Sequence, residues 1–532
     1  MVVTKFGIVA APQFLASQAG AHILEEGGNA IDAAIAANAV MGVTQPYVNG
    51  IGGDLFILYY EAKTGKVYGL NSSGWTPKAL TIDYLKSKGV DKIAPLSVYT
   101  VDVPGAVAGW DAMRVRFGKL SFKQTLAPAI YYAQNGFPLA ERNARYWVAK
   151  ALMKQPGYKE TYVPWDHAPR AGDEFKNPAL AHSLHLIADG GRDAYYNGPM
   201  TDQMVKFLNA QGGVHTRADF AEFKPEWVEP VSTTYRGWQV YELPPNGQGI
   251  AALSMLNIME QFPMAQYGHN SVDALHVMIE AKKLAYADMY KYVGDPRFTQ
   301  VPTEKLISKD LGVQRAKLID MGKATCQVVP TDVADELNKH GKSTIYMSTI
   351  DKDGNIVSLI QSNYAGYGTG MVAPGLGFSF QNRGAGFGLV PGMPNSLEGH
   401  KRPLHTIIPA FMQKGDQHIG FGIMGGWNQS QAHAQFVANV VDYGMNIQAA
   451  MEQPRFTKET FDNCDVQMEE TIPADVRAKL AERGHQIKTL EPFSYTVGQG
   501  DVVMRDSGRD VNFAGADPRA DGEAVPEGPN TK

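Results

Sequence analysis

The chain has 532 residues, 44% apolar and 19% charged, the balance of a globular protein long enough to bury a large core and more than one folding unit. A formal net charge of −5, with no basic field, excludes a charge-driven nucleic-acid binder. Two cysteines, Cys326 and Cys464, are too few for a disulfide framework or a cysteine-rich zinc site; two buried free thiols are expected, with a single bridge as the alternative.

The start, MVVTKFGIVAAP, has no long apolar stretch with a cleavage site. The most apolar early run, 33–43, is broken by Asn38 and too short to cross a bilayer. A cytoplasmic protein with no membrane association is expected. Residues 15–26 predict a helix with Ile23 and Leu24 on its apolar side, ended by Gly27-Gly28. Asn29 can N-cap an alanine-rich helix running to about 43. Strands are predicted at 55–60 and 66–70 around a Lys-Thr-Gly turn. From about 105 to 320 the pattern is mostly helical, with longer helices at 249–261 and 274–292, the second carrying a polar face dotted with Lys and Glu. Residues 331–343 are polar without apolar periodicity and read as an exposed connector. Strands at 345–350 and 356–360 flank Asp351-Lys352-Asp353-Gly354-Asn355, a hairpin signal. A glycine-dense region, 366–399, precedes a strand near 418–424 and a helix over 431–443. The polar tail from 515 is expected to be disordered at its end. Strands at both ends with helices between them predict a mixed α/β layer structure closed by the two ends.

Most candidate motifs have a structural reading that outweighs the chemical one. Gly368-Thr-Gly370 half-matches a dinucleotide fingerprint, but Pro374 and Gly375 oppose the helix such a site needs. His400, His405 and His433 have no metal-ligand spacing, and no Gly-x-Ser-x-Gly elbow is present. Met424-Gly425-Gly426-Trp427-Asn428 is a tight strand-to-helix turn whose amides can also form an oxyanion hole. Arg383, in Asn382-Arg383-Gly384, is either a surface charge or a bidentate carboxylate clamp. Thr344 either begins a strand or is a concealed N-terminus. If the bond before it is cut, its α-amine, with a reference pKa of about 7.7–8.0, can take the proton of its own hydroxyl without a histidine.

The chain resembles the γ-glutamyltranspeptidase family of N-terminal nucleophile hydrolases. The resemblance is carried, in the family's order, by ILEEGGNAIDAAIAANAVMGVTQPYVNGIGGDLF, VPGAVAGW, YRGWQVYELPPNGQGIAALSMLNIME and KLAYADMYKYVGDPRF. It continues through STIYMSTIDKDGNIV, GYGTGMVAPGLG, KRPLHTIIP, IMGGWNQS and GADPRADG. It implies an α+β fold, the four-layer αββα sandwich. It implies a proenzyme that cuts itself between Ser343 and Thr344 into a large subunit, 1–343, and a small subunit, 344–532, which stay together as a heterodimer. Thr344 would be nucleophile and, through its amine, base. Ser362 stands where the family has a threonine that supports the nucleophile, and Gly425 and Gly426 match the oxyanion-hole glycines. No metal or other cofactor is implied.

The glutamate clamp of the family is not kept. Its arginine is absent, with Ser72 or Ser73 near that position. Tyr364 replaces an asparagine, Arg383 and Gly386 replace a glutamine and an aspartate, and His405 and Thr406 replace paired serines. A γ-glutamyl group would lose charge-assisted contacts worth several kcal/mol together. Tyr364, Arg383, His405, Thr406 and Ser72 are therefore the candidate substrate-binding residues, Arg383 and His405 adding positive character. The favoured reading is an amidohydrolase for a small carboxylate-bearing amide, oxamate to oxalate and ammonia, a reaction of purine breakdown within this branch. The alternatives are a γ-glutamyltransferase or glutathione hydrolase, a cephalosporin (glutaryl) acylase, and an unprocessed relative that only binds a small acid.

Overall fold

The computed structural model describes residues 1–328 and 343–529. The connector expected at 331–343 lies outside the described residues, except that the backbone of Ser343 opens a strand. Two seven-stranded sheets form the centre. One runs in the order Val2–Thr4, Val511–Ala516, Gly500–Asp506, Gln417–Ile423, Ala410–Lys414, Trp238–Glu242, Val231–Tyr235. The other runs Glu523–Pro526, Ile8–Ala11, Ser343–Ile350, Ile356–Tyr364, Asp54–Glu61, Lys66–Ser72, Glu226–Val228. Every pairing within them is antiparallel.

The strands of the second sheet are apolar on both faces, because both are covered. Phe56, Leu58, Tyr60, Tyr346, Ile350 and Ile360 point inward against Phe411, Val503 and Ala514 of the first sheet. Their neighbours Leu55, Ile57, Tyr59, Ile345, Met347 and Leu359 point outward into helices Phe14–Glu25, Ala30–Thr44, Ala106–Phe117 and Pro178–Tyr196. Helices Gly249–Met259, Val272–Tyr292 and Gln429–Val441 cover the outer face of the first sheet through Val240, Met412, Phe421 and Val502. The expected αββα sandwich is the fold observed.

Local chemistry sets the ends of these elements. Asn29 caps its helix by accepting from Ile31 N and Asp32 N at 3.1 and 3.2 Å, and Asp32 returns the bond to Asn29 N at 3.0 Å. Such a cap is worth about 1 kcal/mol. Between the sheets, a Cβ at Gly422 would lie 2.3 Å from the Tyr346 ring, and one at Gly420 2.7 Å from Ile356. These two glycines let the layers approach and set their register. Carried onward, the same register brings Thr344 and Ser362 to the end of the sandwich where the strand Gln417–Ile423 runs out into Gly425.

Three expectations change. The expected free thiols are a disulfide, Cys326–Cys464, with Cα atoms 4.8 Å apart; Cys464 is buried while Cys326 is exposed. The charged face of the helix Val272–Tyr292 is not solvated: Glu280, Lys282 and Lys283 are all buried. They are tolerated because each finds a partner, Lys283 with Glu280 at 2.5 Å and with Thr325 O at 2.7 Å, and Lys282 with Thr460 O. The mostly helical middle also supplies strands, 226–228, 231–235 and 238–242, that complete both sheets. Within the tail, Glu523–Pro526 pairs with Ile8–Ala11, while the chain end, where disorder is expected, lies outside the described residues.

Candidate active site

Thr344 and Ser362 meet across the central hairpin of the second sheet. Ser343 pairs with Tyr364 but Ile345 pairs with Gln361, so Thr344 alone stands opposite both Ser362 and Asn363. A bulge of this kind re-aims side chains at the end of a ladder. Here Thr344 Oγ1 donates to Ser362 Oγ at 3.2 Å. The Tyr364 backbone N–H gives to the same oxygen at 2.8 Å, which the left-handed φ of +80° at Tyr364 allows. That conformation is costly for an aromatic residue and holds only where the surroundings impose it.

Arg383 is no surface charge. It is fully buried, donates from Nη1 to Thr406 Oγ1 at 2.5 Å and from Nη2 to Ser362 Oγ at 3.2 Å, and lies 4.4 Å from the centre of the Tyr364 ring. Its Nε–H has no acceptor among the described residues. Burial lowers its pKa to about 10 against the pull of Asp54, Tyr364 and Asp102, so it stays a cation at neutral pH. Burial also raises the pKa of the Tyr364 phenol, with Arg383 opposing, and keeps it neutral.

His405 is inside as expected, but it adds no positive charge. The Ile407 N–H gives to its Nδ1 at 3.2 Å, so Nε2 carries the proton and donates it to Asp54 Oδ2 at 2.9 Å. Burial first, and the Arg383 charge second, push its pKa down to about 3 despite Asp54. Ser72 is also displaced from its expected role. Its side chain lies on the outer face of the sheet and donates to Gly105 O at 2.7 Å. The alternation of the strand gives the inner face to Ser73, whose Oγ accepts from Asn246 Nδ2 at 3.2 Å.

Gly425 and Gly426 take φ of +134° and +63° at the strand-to-helix turn. Their backbone N–H groups give to no described backbone carbonyl. Gln248, which the sequence did not single out, joins this turn to the pocket. Its Nε2 donates to Gly426 O at 2.8 Å and to Thr406 O at 2.5 Å, and its Oε1 accepts from Ser430 Oγ at 3.1 Å. A hydrogen-bonded path therefore runs from Thr344 through Ser362, Arg383, Thr406 and Gln248 to Gly426.

Two acids were also missed. Asp54 accepts from His405, from Gly74 N at 2.8 Å and from Gln381 Nε2 at 2.7 Å. Asp102 is fully buried, and neither carboxyl oxygen has a hydrogen-bond partner among the described residues. Burial raises its pKa well above the ordinary range, Asp54 adds to the rise, and Arg383 opposes it. The signal was an acid beside a glycine- or proline-bearing turn: Asp54 inside the quoted GIGGDLF, and Asp102 one residue before the quoted VPGAVAGW. No spacing marks such acids as inward-facing.

Away from this site, His276, Glu280 and His485 bring three potential metal-ligand atoms within 4.8 Å. Lys283, 2.5 Å from Glu280, already supplies a cation there. His276 and His485 bond to each other at 2.8 Å, and burial with the neighbouring His276 and Lys283 lowers the pKa of His485 to about 3. No described helix is long and apolar enough to cross a membrane.

The site therefore holds the Thr344 hydroxyl beside a second hydroxyl, a buried guanidinium, and a glycine pair whose amides give to no described backbone carbonyl. The gamma-glutamyltranspeptidase family model matches residues 16–527. A Bacillus subtilis (strain 168) "Glutathione hydrolase-like YwrD proenzyme" is 36% identical, over 97% of this chain and 98% of its own. A Klebsiella pneumoniae "Oxamate amidohydrolase proenzyme" is 31% identical, over 98% and 99%. The crystal structure of a cephalosporin acylase from Bacillus halodurans superposes with a TM-score of 0.90 at 40% identity, covering 98% of this chain and 96% of that one. On fold, on site and on match over nearly its whole length, the chain belongs to the γ-glutamyltranspeptidase family of N-terminal nucleophile hydrolases.

Proposed function

We propose that the chain is a self-processing amidohydrolase that cuts itself between Ser343 and Thr344 and then hydrolyses a small carboxylate-bearing amide, oxamate fitting best. The names of the relatives support the outline, since two are proenzymes and all three are hydrolases or acylases. In self-cleavage the Thr344 hydroxyl attacks the Ser343 carbonyl, the C–N bond breaks to free the Thr344 amine as the peptide becomes an ester, and water then hydrolyses that ester to the Ser343 carboxylate and the Thr344 hydroxyl. In turnover that amine takes the hydroxyl proton and Thr344 Oγ1 adds to the substrate carbonyl. The oxyanion faces the amides of Gly425 and Gly426. The proton passes to the leaving amine, and water then hydrolyses the acyl-enzyme to a carboxylate.

The position of Arg383 carries the choice of substrate. Two hydrogen bonds of 3.2 Å, sharing Ser362 Oγ, separate its Nη2 from Thr344 Oγ1. The guanidinium Nη2 thus lies no more than about 6.4 Å from Thr344 Oγ1. A carboxylate joined directly to the attacked carbonyl, as in oxamate, puts its oxygens within reach of Arg383 while Thr344 attacks. A glutaryl or γ-glutamyl chain carries its carboxylate several carbons further away.

One observation favours a second reading, γ-glutamyl hydrolysis: Asp102, whose oxygens have no hydrogen-bond partner among the described residues, could receive an α-ammonium. Ammonia or amine release by the processed enzyme from oxamate, glutathione and glutaryl amides decides between them. Turnover of glutathione with none of oxamate would overturn the first reading.

A further inference from the structure

The disulfide has one end in each of the segments that processing would separate. Cys326 precedes the Ser343–Thr344 bond and Cys464 follows it, 138 residues further along the chain. We propose that the bridge outlasts self-cleavage as a covalent link between the two subunits, holding the large subunit close to its new C-terminus. This rests on the processing proposed above.

The surroundings form a built anchor. Ala324 N donates to Arg483 O at 2.7 Å, and Gln486 N donates to Cys464 O at 2.7 Å. Lys283 Nζ holds Thr325 O at 2.7 Å, while Thr325 N gives to Glu280 Oε2 at 3.3 Å. On the small-subunit side, Lys458 Nζ binds Asp465 Oδ1 at 2.8 Å and Asp465 O at 3.0 Å. The segment 324–326 is thus tied both to a large-subunit helix and to the small-subunit stretch 458–486. A structural bridge of this kind persists in an oxidising compartment. Cys326 is exposed beside a surface hollow lined by Thr460, Asn463, Asp465 and Gln486, so a small thiol can reach the bond in the folded protein.

The link changes the order of the unfolding reaction. Two subunits held only by packing separate on unfolding, and their stability rises with protein concentration; joined subunits unfold as one molecule. The test takes the purified protein, blocked with an alkylating agent and run on a denaturing gel with and without dithiothreitol. The expected result is one band at the whole-chain mass without reductant and two smaller bands with it. Two bands under both conditions overturn the link and leave processing intact. One whole-chain band under both overturns processing and the link together. Cys464→Ser gives a second measurement. Its processed form should show two bands without reductant and a urea midpoint that rises over a tenfold increase in concentration, while the oxidised wild type keeps the same midpoint. Equal concentration dependence in the two proteins would also overturn the link.

Discussion

Replacing Arg383 by Gln removes a buried cation that touches the Ser362 hydroxyl, and two separable effects follow. The first is on binding. A carboxylate loses charge-assisted hydrogen bonds worth about 1.5–3 kcal/mol each, so kcat/KM for oxamate should fall by roughly two to three orders of magnitude. The second is on the base. A cation about 6 Å from the nucleophile disfavours protonation of the Thr344 amine; at an effective dielectric of about 20 to 40 this amounts to ~1.4–2.8 kcal/mol, or about 1–2 pH units. The other groups facing the site are the Asp54 and Asp102 carboxyls, the neutral His405 and the neutral Tyr364 phenol. Taking the positive charge away raises the amine pKa, so the acidic limb of activity moves to higher pH. The assay is ammonia release between pH 5 and 10 by processed wild type and variant, with a neutral short-chain amide alongside oxamate to isolate the limb from carboxylate binding. An unmoved limb together with an unchanged KM for oxamate would refute this account of Arg383.

Thr344→Ala should remain a single chain on a reducing gel and release no ammonia, because in the proposed mechanism both self-cleavage and turnover start from its hydroxyl; appearance of the small subunit would count against Thr344. Asp102→Asn bears on stability. A carboxyl whose folded pKa lies above its unfolded value binds protons in the folded state that the unfolded state has lost, so stability falls as pH rises from about 4 toward the folded pKa. Thermal melting should therefore show the variant gaining on wild type at pH 7 relative to pH 4, and a constant difference would mean that Asp102 is solvated. Gly422→Ala puts a Cβ 2.3 Å from the Tyr346 ring and should cost about 1–3 kcal/mol in urea unfolding, a midpoint unchanged from wild type arguing against the close approach of the sheets there.

Much of the layer structure was legible because it is local. The Gly27-Gly28 stop, the Asn29 cap and the Asp-Gly hairpin after Ile350 are short-range signals, and each lies where its chemistry requires. The buried charges of the helix Val272–Tyr292 were misread for the opposite reason. Lys282, Lys283 and Glu280 have the pattern of a solvated face, and their partners, Thr460 and Thr325, are distant in the chain. The single bridge had the same origin, since two cysteines 138 residues apart carry no pairing signal of their own.

In the active site, residue identity was enough to nominate Thr344, Ser362, Arg383 and the glycine pair, because ordered motifs across the chain limit what such residues can be. Direction was not. The serine that faces the inner layer is Ser73 and not Ser72, a difference of one residue that the two-residue period of a strand turns into opposite faces. The charge of His405 depended on its burial beside Arg383, and its bond to Asp54 joins residues 351 apart. Sequence alone determined the layers and nominated Thr344 and the residues at the clamp positions, since those follow from residue type and near neighbours. Tertiary structure decided where the remaining cation points, which acids accompany it and that the cysteines are joined, because burial, direction and long-range pairing arise only when distant segments pack together.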